Sequence, residues 1–258
     1  MGFLSETLED VRRRLAREPL DESALMTLAM RLPPTRGFAG ALWSAKPVAV
    51  IAEVKRSSPS AGRIAEADPA AQARVYEAAG AAAVSVLTEP RHFDGSLADL
   101  RAVHLATSLP VLRKDFLVHP AQLMEARVEG ADAVLLIAAA LSPNELEAML
   151  ATAEDLGLGT LVEVHSEEDL DKAVATSAKV VGVNARDLET LEVDPDRALA
   201  LLERVPDDRI AVAESGISER AQVERAVRAG ARAVLVGEAL MRAEDPGAKL
   251  RELRGGDR

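Results

Sequence analysis

The chain has 258 residues, 48% hydrophobic and 28% charged, with net charge −11 and no cysteine. Such a composition folds into one or two globular domains. It excludes a disulfide scaffold, thiolate metal sites and a cysteine nucleophile, and the negative charge disfavours nucleic acid or an anionic membrane as partner.

The first 46 residues read as an N-terminal extension with helices over Leu4–Glu18 and Glu22–Arg31 and a loop carrying Pro33 and Pro34. The extension is expected to cover the mouth of the domain it precedes, with Trp43 as a tether and Arg12, Arg13 and Arg14 on a solvated face. No apolar run reaches the roughly 20 residues that cross a bilayer, and the N-terminus lacks an apolar signal core, so no membrane and a cytoplasmic setting are expected. The four histidines have no helical ligand spacing, and no metal is expected.

From residue 47 onward a phrase repeats. AAGAAAVSVL (78–87), VEGADAVLLI (128–137) and RAGARAVLVG (228–237) share a helix end, a glycine and a β-rich run, with Ser177 in the glycine's place at the missing step. The spacing suits two helix–strand units, and the glycine suits a left-handed helix stop. Strands are predicted at Pro47–Lys55, Ala83–Glu89, Pro110–Lys114, Ala133–Ala138, Gly159–Val164, Val180–Asn184, Ile210–Ser215 and Ala233–Gly237. Helices lie between them near 69–79, 97–107, 120–129, 143–156, 166–176, 195–205, 218–229 and 246–253, several opening on proline. Eight alternations without a Gly-x-Gly-x-x-Gly predict a (β/α)8 TIM barrel over 47–258, forming one domain with its extension.

Active sites of such barrels lie at the C-terminal strand ends. Period-two alternation puts Glu53 and Lys55 on one face of strand one and Lys114 with Leu112 on one face of strand three. Strand five ends in Glu163, strand six in Asn184, and strand seven in Ser215. If these faces point inward, two lysines, two glutamates, an asparagine and a serine converge. Glu53 and Glu163 stand in apolar runs, where an unpaired carboxylate would cost several kcal/mol, so Lys55 and Lys114 are the expected partners. Arg113 and Asp115 face away and read as loop-anchoring ion pairs. After strands seven and eight, Ser215-Gly216 and Gly237-Glu238 offer backbone N–H groups to an anion. Ser58 and Ser60, with Gly62, would add donors on a mobile loop. Phe93, Phe116 and Leu135 form a candidate apolar wall for a ring.

At these residues the sequence resembles the indole-3-glycerol-phosphate synthase family. The segments are IAEVKRSSPSAGRI (51–64), LTEPRHFDGS (87–96), LRKDF (112–116), LVEVH (161–165), VGVNARDL (181–188), AESGI (213–217) and VLVGEALM (234–241). The resemblance implies a carboxy-lyase that closes an indole ring from 1-(2-carboxyphenylamino)-1-deoxyribulose 5-phosphate, without cofactor or metal. It implies Lys114 as general acid, Glu163 as general base, Lys55 on the departing carboxylate, and Glu53 and Asn184 as orienting groups. Phosphate would sit on Ser58, Ser215, Gly216, Gly237 and Glu238; the ring on Phe93, Phe116 and Leu135; and Arg186 and Leu188 would complete the substrate site. Glu238 departs from the small residue many members carry at the phosphate turn, so its side chain is expected to point away. The partner would be a small phosphorylated aromatic substrate, and a monomer is expected over a homodimer. The alternatives are a phosphoribosyl isomerase, a Schiff-base aldolase using Lys114, or a non-catalytic phosphate-ligand sensor.

Overall fold

Eight short runs of apolar residues become eight parallel strands that close on themselves in a computed structural model describing residues 2–59, 62–64 and 68–255. They are β1 (Ala49–Val54), β2 (Ala83–Leu87), β3 (Val111–Lys114), β4 (Ala133–Ile137), β5 (Gly159–Val164), β6 (Val180–Asn184), β7 (Ile210–Glu214) and β8 (Ala233–Val236). Each pairs with its sequence neighbours, and β1 pairs with both β2 and β8, which seals the ring. Strands buried on both faces need continuous apolar sequence, and the helices around them supply the cover. The fold is the (β/α)8 barrel the alternation predicts.

The outer helices are α4 (Pro69–Ala78), α5 (Leu97–Ala106), α6 (Pro120–Val128), α7 (Pro143–Asp155), α8 (Glu167–Val174), α9 (Pro195–Leu202), α10 (Arg220–Arg228) and α11 (Pro246–Arg254), preceded by α1 (Phe3–Arg17), α2 (Glu22–Ala29) and α3 (Phe38–Ser44). Five open on proline behind a capping side chain: Asp68, His119, Ser142, Asp194 and Asp245. Proline has no N–H to leave unbonded in that first turn, and the cap satisfies a donor further in. The repeated glycines close α4, α6 and α10 at φ +86°, +94° and +103°. After each, the next N–H bonds back into the helix: Ala81 to Tyr76, Ala131 to Ala126 and Ala231 to Ala226, at 2.8–3.0 Å. A side chain there would be strained, which is why the glycine recurs.

The extension grips both ends of the barrel. At the C-terminal mouth, Phe3 and Leu4 N–H donate to Glu189 and Leu188 carbonyls at 3.2 and 2.9 Å. At the other end α3, which the sequence pattern does not predict, lies against the barrel floor: Phe38 packs onto Gly159 at the start of β5, and Trp43 stacks its ring 3.9 Å from the Arg232 guanidinium. Between them Asp132 accepts from Arg36 N at 2.7 Å, and Arg127 donates to the Pro33 carbonyl. Arg12, Arg13 and Arg14 are exposed. Among the described residues no helix is long and apolar enough to cross a membrane.

Candidate active site

A lysine can end a strand inside a barrel only if carboxylates meet it. Lys114, last in β3, places Nζ 3.1 Å from Glu163 Oε2 and 3.6 Å from Glu214 Oε2. On β1, Glu53 Oε1 lies 3.0 Å from Lys55 Nζ. Glu53, Glu163 and Glu214 are all buried. Burial works against the Lys114 charge, but Glu163, Glu214 and Glu53 outweigh it and hold the ammonium pKa above its ordinary value. Burial likewise pushes Glu163 up, yet Lys114, His165 and Asn184 leave it well below the usual carboxylate range. Glu214 goes the other way. Burial and the neighbouring Glu163 charge raise it far above that range despite Lys114. A protonated Glu214 leaves two lysines facing two carboxylates, a locally neutral set.

Two glycines make room for this chemistry. A methyl at Gly237 would overlap Glu53 Oε1, and one at Gly182 would overlap Glu214 Oε1. Gly182 stands opposite Glu163 in the β5–β6 register, so the barrel wall is thinned where two acids meet.

One cavity at the C-terminal strand ends is lined by Glu53, Lys55, Lys114, Glu163 and Asn184. Around them stand Ser58, Phe93, Phe116, Leu135, Arg186, Leu188, Ser215, Gly216, Gly237 and Glu238. These residues, all singled out from sequence, therefore border the same space; Ser60 lies outside the described residues. Phe3, Glu214, Leu191 and Ile217 also line it and were not singled out. With Ser215 as the inward-facing end of strand seven, period-two alternation turns Glu214 outward. That serine lies past the strand end at φ +64°, where alternation no longer applies. Phe3 escaped because nothing local marks it. It packs edge-on against Phe93 and Phe116, ring centroids 6.5 and 6.1 Å away, so the extension itself builds the apolar wall.

The surrounding loops are fixed by short polar bonds. Asn184 Oδ1 accepts from Arg186 N at 2.9 Å, and Arg186 Nη1 donates to Leu191 O at 2.8 Å. Ser57–Ser58 pairs antiparallel with Gly62–Arg63. Glu238 turns its carboxylate to Arg242, 2.9 Å away and one helical turn on. Arg113 and Asp115 form the expected anchor: Arg113 Nη2 lies 3.0 Å from Asp115 Oδ2 and Nη1 2.9 Å from Glu125, while Asp115 accepts from Thr88 at 2.6 Å. Asp115 also reaches the cavity wall.

Chemically, this is a half-buried pair of ammonium groups beside buried carboxylates whose surroundings push their pKa values in opposite directions, with an aromatic wall on one side and glycine turns on the other. It can donate a proton, accept one, and hold an anion and an aromatic ring together.

Comparison with known proteins gives a consistent picture. A sequence model described as indole-3-glycerol phosphate synthase matches residues 3–253. Curated relatives of that name include one from Micrococcus luteus, 49% identical, covering 98% of this chain and 97% of the relative. Another, from Leifsonia xyli subsp. xyli, is 52% identical over 96% of this chain and 95% of its own. Among solved structures, a 3-hexulose-6-phosphate synthase superposes with TM-score 0.65 at 18% identity, covering 80% of this chain and 98% of that one, a likeness of fold alone.

Proposed function

The chain belongs to the indole-3-glycerol phosphate synthase family, and on that premise we propose that it is a carboxy-lyase closing the indole ring of 1-(2-carboxyphenylamino)-1-deoxyribulose 5-phosphate with loss of CO2 and water. The observation that carries the reading is Lys114 held between Glu163 and Glu214 at one end of a cavity with an aromatic wall.

In this reading the ring packs on Phe93, Phe116 and Leu135, beneath Phe3. The phosphate rests on Ser58 and the turns Ser215–Gly216 and Gly237–Glu238, with Glu238 drawn off by Arg242 so that its backbone alone faces the anion. Lys114 donates a proton to the ketone oxygen as the ring carbon attacks. The cation that forms is stabilised by Glu163 and Glu53, since carboxylates in a water-poor site act strongly on developing charge. CO2 departs beside Lys55 and Arg186, restoring the aromatic ring. The hydroxyl then leaves as water on a second proton, from Lys55, while Glu163 takes the proton lost from the methylene carbon. Asn184 holds Glu163 and the Arg186 backbone in register. The reading calls for neither cofactor nor metal and expects a cytoplasmic setting.

An isomerase, an aldolase or a sensor on the same fold is not favoured: the family match runs nearly the whole chain, and a sensor has no use for a buried acid–base set. The test is incubation with the carboxyphenylamino-deoxyribulose phosphate while indole fluorescence is followed. Its appearance supports the reading, and its absence with folded protein rejects it.

A further inference from the structure

Lys114 carries its ammonium on a flexible four-carbon stem, so the place of Nζ depends on how firmly the backbone beneath it is held. That stem starts at the last residue of β3, where the strand ends. Thr88, the first residue past β2, bonds three successive residues at this point. Its N–H donates to the Lys114 carbonyl at 3.1 Å, and its hydroxyl donates to Asp115 Oδ2 at 2.6 Å. The same hydroxyl oxygen accepts from Arg113 Nε at 3.1 Å. Thr88, Arg113 and Asp115 are all buried.

The cluster continues into α6. Arg113 Nη2 donates to Asp115 Oδ2 at 3.0 Å, and Nη1 to the Gln122 carbonyl at 3.1 Å and to Glu125 at 2.9 Å. Asp115 Oδ1 accepts from the Phe116 N–H at 2.8 Å. The Gln122 side chain donates to the Phe116 carbonyl at 3.3 Å and accepts from Val118 and His119 N–H at 2.9 and 3.1 Å. Residues 113–116 are therefore each tied to a polar group behind the strand end. Burying a guanidinium and a carboxylate there costs free energy that an apolar pair would not. What the ion pair adds is direction, because charge-assisted hydrogen bonds fix geometry as well as distance.

We propose that Thr88 is a positioning residue for the proton donor: its hydroxyl locks Arg113 and Asp115 on either side of Lys114 and aims the ammonium from behind. Glu163 and Glu214 hold the same group from the front, at 3.1 and 3.6 Å. The inference rests on the ring closure proposed above, in which Lys114 gives its proton to the ketone oxygen. That transfer needs a heavy-atom approach of about 2.6–3.2 Å, and a misplacement of about 1 Å can cost about a hundredfold in rate. Thr88 lies outside the cavity lining and so acts only through its neighbours. Without the hydroxyl, Arg113 and Asp115 still pair through Nη2, which keeps the strand end folded but less tightly aimed. The two glutamates then draw the loosened ammonium toward themselves and away from the ketone.

The experiment compares wild type, Thr88→Ser, Thr88→Val and Thr88→Ala by indole fluorescence, at a temperature where melting curves show each protein folded. Valine copies the shape of threonine without its hydroxyl, whereas serine keeps the hydroxyl and drops the methyl. The Val and Ala variants should lose about tenfold or more in kcat with KM within about threefold, because the phosphate and most of the ring are held elsewhere. The Ser variant should stay within about threefold of wild-type kcat, although the missing methyl lowers its melting temperature. Wild-type kcat in the Val variant overturns the proposal. Equal losses in Ser and Val also overturn it, since rate would then follow packing and not the hydroxyl, as does a loss carried by KM. If the Val variant fails to fold, Ala against Ser decides. Absence of indole from wild type overturns the ring-closure reading instead, and the positioning role with it.

Discussion

Three glutamates share one barrel mouth, and their neighbours set their protonation apart. Glu163 is held ionised by Lys114 and His165, whereas Glu214, pressed against Glu163 and cut off from water, keeps its proton. The folded protein thus retains a proton at Glu214 at pH values where the unfolded chain, with an ordinary glutamate pKa of about 4.3, has released it. A raised pKa in the folded state means stability falls as pH rises above that value, by up to about 1.4 kcal/mol per unit. Glu214→Gln keeps the shape of the protonated acid and removes its titration. Its melting temperature relative to wild type should therefore climb between pH 5 and pH 7; a flat or falling difference would mean that Glu214 is ionised. Lys114 tests the front of the same cluster. Lys114→Ala should lower kcat by about 10²–10⁴ with KM changed only severalfold, as expected for a proton donor. Retained turnover would remove it from that role.

At the scale of elements, the extension acts through its two ends. α3 buries Phe38 and Leu42 against the barrel floor, where Gly159 has given up its side chain to admit the Phe38 ring. Phe38→Ala should cost about 3–5 kcal/mol in urea unfolding, the usual range for emptying a closed apolar site. Phe3→Ala, at the mouth, should leave the urea midpoint nearly unchanged and raise KM, because Phe3 touches Phe93 and Phe116 beside the cavity. Equal effects from both would contradict the division. The extension also marks where the sequence stops being legible, although its first helix was expected at Leu4–Glu18 and runs over Phe3–Arg17. The eight strands were legible because strands covered on both faces carry unbroken apolar runs, and Gly80, Gly130 and Gly230 punctuate them at fixed steps. The Glu53–Lys55 and Lys114–Glu163 pairs were legible because a charge inside an apolar run demands a partner. α3 was not: FAGALWS spans seven residues behind Gly37, whose capping position offers no side-chain bond. Nor was the place of Phe3, which depends on two rings distant in the chain, or that of Glu214, hidden by a left-handed serine.

For the whole molecule, the question is whether one copy suffices. Every group assigned to the chemistry comes from a single chain, and the cavity is walled by that chain's own extension. The exposed large apolar side chains are spread over several elements: Leu28, Met30 and Leu32 around the end of α2, Trp43 on α3, Val75 on α4, Leu105 on α5, Val193 in the loop after β6 and Val227 on α10. A stable dimer face usually buries about 800 Å² on each partner around a contiguous apolar centre; three side chains at the end of α2 and others standing singly elsewhere do not provide one. The net charge of −11 adds mutual repulsion at low ionic strength. Light scattering should therefore give a mass near 27.4 kDa, both in dilute buffer and in about 0.5 M salt, where screening over a few ångströms removes the repulsion. A doubled mass appearing only at high salt would mean that charge alone keeps the copies apart, whereas a doubled mass under both conditions would overturn the monomer.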